Sequence, residues 1–267
     1  RESIARALQN LEVCFLANDD PNLVFIILAD LHDAPSEELP GDAALMEYAR
    51  DGLEQLNLRH FANVAHDGGR FAFLFRKRRW NTSDGIFMGW ERKRGKISEF
   101  NRLLLGDRAT NFLVDPKTLV LLKGIRYVIT LDSDTLLPRG VSKKLIGAIA
   151  HPLNRPIVQV SEASNASAPR QQGARAIVTD GYGIIQPRIG ITLTSARASR
   201  FADIFSGHSG VDPYTQAVSD VYQDLFHEGS YNGKGIYDLK VFEQVLDGRV
   251  PENTLLSHDL FEGCFAR

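Results

Sequence analysis

Apolar positions recur along this chain at two spacings, helical and strand-like, and their alternation predicts its layout. Ile4, Ala7, Leu8 and Leu11 fall at helical spacing within residues 1–17, and Asn18-Asp19-Asp20-Pro21 breaks that helix. LVFIILAD (23–30) reads as a buried strand ending at Asp30, with a polar loop through Gly41 behind it. A helix is predicted from about Asp42, placed as its N-cap, to Leu56. FAFLFRK (71–77) reads as a second strand, 76–96 as a loop, and KISEFNRLL (96–104) as a helix with Ile97, Phe100 and Leu103 or Leu104 on one face. RYVITLD (126–132) is the clearest strand, rich in β-branched residues and closed by acidic residues and Pro138. Ser142 is expected to cap the next helix, and PIVQVSEA (156–163) to form another strand. SNASAPRQQGA (164–174) is small and polar, as a loop is. GIIQPRIGI (183–191) reads as extended, and TSARASRFADIF, DPYTQAVSDVYQDLF and DLKVFEQVL (238–246) as helices. No internal repeat appears.

Strands alternating with helices predict an α/β fold with a mostly parallel sheet flanked by helices, in which ligands bind beyond the carboxyl ends of the strands. That rule singles out Asp30, the 76–96 segment and residues 132–135. Composition then narrows the class. Hydrophobic residues make up 43% of the 267 and charged residues 24%, enough for a core and too apolar for wholesale disorder. The net charge of −2 gives no bulk attraction to nucleic acid or anionic lipid. Two cysteines, Cys14 and Cys264, exclude a disulfide framework and a four-thiolate zinc site, which suits a reducing compartment. No stretch reaches the ~18 apolar residues of a membrane span. The start, RESIARALQN, shows no secretory pattern and no Met, so the chain is expected to be a piece of a longer protein, with any membrane spans outside it.

Three segments carry candidate chemistry. In LDSDT (131–135) a buried strand delivers Asp132 and Asp134 to its exposed end, where two hard carboxylates one residue apart suit Mg²⁺ or Mn²⁺ on a diphosphate. A lone D-x-D is more often a solvated strand end or a cap. The same residues partly fit a haloacid dehalogenase-type phosphatase motif with Asp132 as nucleophile, but Thr135 stands one place early and the motif lies mid-chain. In WERKRGKISEFNRLL (90–104), Arg92, Lys93, Arg94 and Lys96 crowd around Gly95 ahead of a helix, a place for phosphate oxygens or simply a solvated basic face. Lys96 and Asn101 would stand on one side of that cleft. In TLLSHDLFEG (254–263), Asp259 follows Ser257 and His258 at a helix start, as a cap or as a general base, with Glu262 one turn on. GSYNGKG (229–235) lacks the spacer and terminal hydroxyl of a Walker loop; its glycines serve close backbone approach or a turn. The tyrosines of the second half suit sugar stacking but more commonly pack cores.

Taken in order, these are the parts of a nucleotide-sugar-dependent glycosyltransferase of the GT-A, Rossmann-like type. The sequence also resembles the glycosyltransferase domain of cyclic β-1,2-glucan synthases, glycosyltransferase family 84, a relative of the processive family 2 enzymes. WERKRGKISEFNRLL, VITLDSDTLLPRG, DGYGIIQPRIG, SGHSGVDPYTQAVSDVYQDLFHEGSYNGKGIYDLKVFE and VPENTLLSHDLFEG carry the likeness, which is most specific from about residue 124 onward. The resemblance implies one domain over 1–267, its nucleotide-binding part at about 20–140 and its acceptor part at about 141–267. It implies an inverting, metal-dependent transferase that uses UDP-glucose and a glucan acceptor. Asp132 and Asp134 match the D-x-D that holds ribose and metal-diphosphate, with Mg²⁺ or Mn²⁺ as cofactor. Asp259 matches the catalytic base of the family 2 T-E-D motif, Ser257-His258 replacing Thr-Glu. Asp30 and Asp33 match the uracil and ribose contacts, and Lys96 and Asn101 a Gly-Lys…Asn stretch near the diphosphate. The Q-x-x-R-W motif of processive relatives is absent from these residues. Relatives of this kind sit at the cytoplasmic face of the bacterial inner membrane. A non-catalytic nucleotide-sugar-binding module is the alternative from another class.

Overall fold

The computed structural model describes residues 1–62, 69–161, 175–187, 189–190, 196–205, 225, 231–255 and 258–266. In chain order the described elements are α1 (Glu2–Ala17), β1 (Phe25–Asp30), α2 (Asp42–Phe61), β2 (Phe71–Arg76), β3 (Arg79–Asn81), β4 (Ile86–Met88), α3 (Arg92–Leu105), α4 (Pro116–Leu121) and β5 (Tyr127–Thr130). They continue with α5 (Val141–Ile149), a 3-10 turn (Pro152–Asn154), β6 (Ile157–Ser161), β7 (Arg175–Asp180), β8 (Ile184–Ile185), α6 (Arg200–Phe205), β9 (Gly235–Asp238), α7 (Leu239–Leu246) and α8 (Asp259–Ala266).

Around the first two strands the chain is built as the apolar pattern predicts. β1 and β2 pair in parallel, Phe25 opposite Phe71 through Asp30 opposite Arg76, with α2 as the crossover. On one face Leu8, Leu11 and Phe15 of α1 meet Leu56 and Phe71; on the other Leu74 meets Phe100, Leu103, Phe112 and Leu122. A strand covered on both faces must be apolar at every position, and FIILA and FAFLF are.

The fold is mixed α/β, but the expectation of a mostly parallel sheet needs correction. Of the five strand pairings described, β1–β2 alone is parallel. β5, β9 and β8 form an antiparallel sheet in that order, β6 and β7 an antiparallel pair, and β3 and β4 a hairpin inside the segment expected to be a loop. β9 enters beside the tip of β5 and runs back along it, so the pairing is antiparallel although more than a hundred residues separate the two strands. Phe25 of β1 packs against both the α1 cluster and the cluster of Cys14, Leu145, Ile149 and Ile236, which joins the two halves through side chains.

Two caps also differ from expectation. Asp42 is the first residue of α2; its carboxylate accepts from the Leu39 amide and pairs with Arg78, which holds it below the usual carboxylate range. Ser142 lies inside α5, and the cap comes from Asn18 at the end of α1. The Asn18 side chain accepts from the Ser142 amide at 3.1 Å and donates to the Leu137 carbonyl at 3.1 Å. A distant side chain thus closes the loop that carries the 131–135 segment. α2 runs on to Phe61 rather than Leu56. The helix expected over 212–226 and the 164–174 loop lie outside the described residues, apart from Leu225. No helix among the described residues is long and apolar enough to cross a membrane.

Candidate functional site

α3 begins earlier than its apolar pattern suggests, at Arg92, so the basic run 92–96 forms its first turns rather than a loop. Glu91 and Arg92 take left-handed backbone conformations there, and Gly95 leaves room for the Trp90 carbonyl, which a Cβ would approach to 2.1 Å. This start of the helix aims the side chains of Lys93 and Lys96 at two different strand ends. Lys96 Nζ reaches Asp30 Oδ2 at 3.1 Å, at the end of β1. Lys93 Nζ reaches Asp132 Oδ1 at 2.7 Å, beyond the end of β5.

At the first strand end Asp30 is also held by Arg76 Nε at 2.7 Å. Arg76 is fully buried and donates as well to the Arg92 carbonyl and, at 3.5 Å, to Glu99. Gly89 packs so closely on this group that a Cβ would lie 2.6 Å from the Asp30 carboxyl carbon. Asp33 pairs with Arg92 at 3.0 Å near the surface.

At the second strand end the register sets the geometry. Thr130 stands opposite Gly235, so the turn 231–234 lies beside the tip of β5. Tyr231 bonds the Thr130 hydroxyl at 2.9 Å, and burial pushes its phenol well above the usual range. Lys234 Nζ reaches Asp132 Oδ2 at 2.7 Å, so each carboxylate oxygen of Asp132 faces its own ammonium group. Burial pushes Asp132 up, but the two lysines outweigh it and hold the carboxyl below the usual range. Asp134 is exposed and, among the described residues, accepts only from its neighbour Thr135, at 3.4 Å.

Gly233 brings the far end of the chain to this tip. It takes a left-handed conformation, φ +76°, and a Cβ there would lie 2.5 Å from Asp259 Oδ1 and 2.6 Å from Lys93 Nζ. Asp259, the first residue of α8, therefore borders the ammonium group that holds Asp132. Its Oδ1 is buried and accepts no hydrogen bond among the described residues. Behind it His258 Nδ1 lies 2.7 Å from Glu262 Oε1, both side chains buried, and burial raises the Glu262 carboxyl. His258, Asp259 and Glu262 are the one group of three metal-competent side chains described, their ligand atoms within 4.8 Å of one another. His258 and Glu262 also line a cavity of about 280 Å³ with Trp90, Arg94, Phe242 and Glu243.

Over its whole length the chain is 45% identical, across 269 residues, to the cyclic beta-(1,2)-glucan synthase NdvB of Rhizobium meliloti (strain 1021). Every part of the chain thus matches one segment of a cyclic β-(1,2)-glucan synthase. The chain spans 9% of that relative's length, and no protein-family model matches it.

Within these residues the structure brings together Asp132 and Asp259 and leaves the other expected site residues in four different settings, Asp33 being paired with Arg92 near the surface. Asp30 and Lys96 pair with each other at the neighbouring strand end. Asp134 stands in solvent on the same loop as Asp132. Asn101 needs correction: it is fully buried, its amide donating to Glu243 at 2.9 Å and its carbonyl accepting from the Tyr237 hydroxyl at 2.8 Å, so it ties α3 to α7 and β9 instead of facing a cleft. Ser257 lies outside the described residues. Sequence reasoning missed Lys93 and Lys234 as individuals. Lys93 was legible only as one of four cations, and Lys234 only as part of a glycine-rich turn.

Proposed function

We propose that this chain is a GT-A-type glucosyltransferase domain that uses UDP-glucose to extend a β-1,2-glucan by a single inverting displacement. Its first part, about 20–140, would take the nucleotide and the remainder the acceptor. The observation that carries the proposal is the meeting of the Asp132 carboxylate and the Asp259 carboxylate across Gly233 and Lys93. The 45% identity to a glucan synthase supports the substrate class.

The Asp259 Oδ1 accepts the proton of the acceptor glucose 2-hydroxyl as that oxygen bonds to the anomeric carbon and the bond from that carbon to the diphosphate oxygen breaks. This oxygen lies 3.5 Å from His258 Nδ1 and accepts no hydrogen bond among the described residues, which leaves a lone pair for this proton, and the base needs to lie ~2.6–3.2 Å from the hydroxyl. Asp132 and Asp134 supply hard oxygen donors, one already attracting two cations and one exposed, and that donor set fits Mg²⁺ or Mn²⁺. Such a cation, when bound, neutralises charge on the departing diphosphate. The basic first turn of α3 adds positive charge on the same side. As part of a larger synthase the domain would work at the cytoplasmic face of the bacterial inner membrane, held there by segments outside these residues.

Asp259→Asn should lower transfer from UDP-glucose by ~10²–10⁴-fold, the usual worth of a general base, while UDP-glucose binding is retained. A fully active variant would remove Asp259 from the role. Retained binding in a wild-type protein that never transfers would leave a nucleotide-sugar-binding module.

A further inference from the structure

Asp132 carries one negative charge and faces two ammonium groups, each at 2.7 Å. Both of its oxygens are engaged, so a divalent cation on the same carboxylate would crowd two like charges, and repulsion at such range is strong. The two lysines come from unrelated elements, one from the first turn of α3 and the other from the turn into β9, so neither fixes the other. Their side chains are 38% and 24% exposed, against 0% for Arg76 at Asp30. Lysine is a compact charge on a flexible stem and can swing where a buried guanidinium cannot. A diphosphate arriving at this tip brings the negative oxygens that both ammonium groups would otherwise lack.

We infer that Lys93 and Lys234 are exchangeable counter-ions: without a nucleoside diphosphate they neutralise Asp132, and with one bound they turn onto its phosphate oxygens and release the carboxylate to a divalent cation. The inference rests on the strand tip being the donor site and deepens that reading by making Lys234 a diphosphate ligand. It also sets a thermodynamic requirement. Nucleotide and cation must each raise the affinity for the other by one common factor, and the lysines add to that coupling beyond the direct attraction of cation and diphosphate.

Mn²⁺ binding to the whole protein, followed by the electron paramagnetic resonance of free Mn²⁺ with and without UDP, tests this, with Asp132→Asn as the baseline that isolates the site. In the wild type UDP should tighten Mn²⁺ binding by about tenfold, within the usual range of coupling. Lys234→Met should bind Mn²⁺ several-fold more tightly than wild type in the absence of UDP, should bind UDP more weakly, and should lower the coupling factor. Lys93→Met, altered on a separate element, should move all three in the same directions. Hydrogen exchange over 127–130 and 235–238 certifies the fold of each variant. If both lysine variants keep wild-type Mn²⁺ affinity and full coupling, or lose UDP affinity with no change in Mn²⁺ binding, the exchange is overturned. If Asp132→Asn binds UDP and Mn²⁺ as the wild type does, the donor-site reading itself falls.

Discussion

Asp30 ends β1, Asp132 follows β5, and each carboxylate meets two cations, yet the two groups are built differently. At Asp30 one cation is Arg76, fully buried and shared with Glu99 and a backbone carbonyl, with Gly89 packed against the pair. At Asp132 both cations are lysines within reach of solvent, and a second carboxylate stands just across a glycine. Removing a guanidinium from the first group strands buried charge, whereas the second can trade its lysines for other charges. A strand-end aspartate in an α/β domain is thus a lock or a ligand site according to what surrounds it, and the rule that ligands bind beyond strand ends does not say which.

The largest effect that would break this contrast is expected at the lock. Arg76→Met leaves Asp30 and Glu99 without their shared partner and should cost about 3–5 kcal/mol, the range for breaking a buried ion pair. Hydrogen exchange over 71–76 and 92–105 would show it, and unchanged protection there would mean that Arg76 is replaceable.

Glu243 sharpens the contrast, being a buried acid with an amide partner and no ion pair among the described residues. Burial raises its carboxyl to about 7, so the native state binds a proton that the unfolded chain releases near pH 4.5. Stability from this group is full below about pH 4.5 and is lost as pH rises through about 7. Glu243→Gln should remove that slope and make the protein more stable than wild type above pH 7, by roughly 3 kcal/mol. A thermal unfolding series across that window decides it; parallel curves for the two proteins would place the titration elsewhere.

At the open tip a smaller cost should carry a specific signature. Gly233→Ala meets Asp259 and Lys93 and strains a left-handed backbone, for about 1–2 kcal/mol. Because the clash displaces the groups proposed to react, turnover should fall by about tenfold or more with hydrogen exchange over β1 and β2 unaltered. Wild-type turnover in this variant would separate Gly233 from the chemistry.

Much of the first half was legible in the sequence. FIILA and FAFLF are apolar at every position, α1 keeps a helical stripe, and a polar break separates them, so local pattern and burial agree. The short β9 was not legible, because GIYD follows a glycine-rich turn and offers too few residues for a period to show. The two caps were missed or misassigned for another reason. Asn18 caps α5 from more than a hundred residues away, and no local spacing reports a partner that distant.

The site divides in the same way. The sequence by itself marked Asp132, Asp134 and Asp259, since carboxylates after a buried strand and at a helix start stand out from their immediate neighbours. It also placed Lys96 and Asn101 together in one cleft, but a helix repeats every 3.6 residues, so positions five apart leave its surface in different directions. Once α3 is docked, Lys96 goes to Asp30, Asn101 goes into the core, and Lys93 goes to Asp132. Which cation meets which carboxylate was decided only by tertiary packing, because residue type sets the sign of a charge and the docking of its backbone sets the charge it meets.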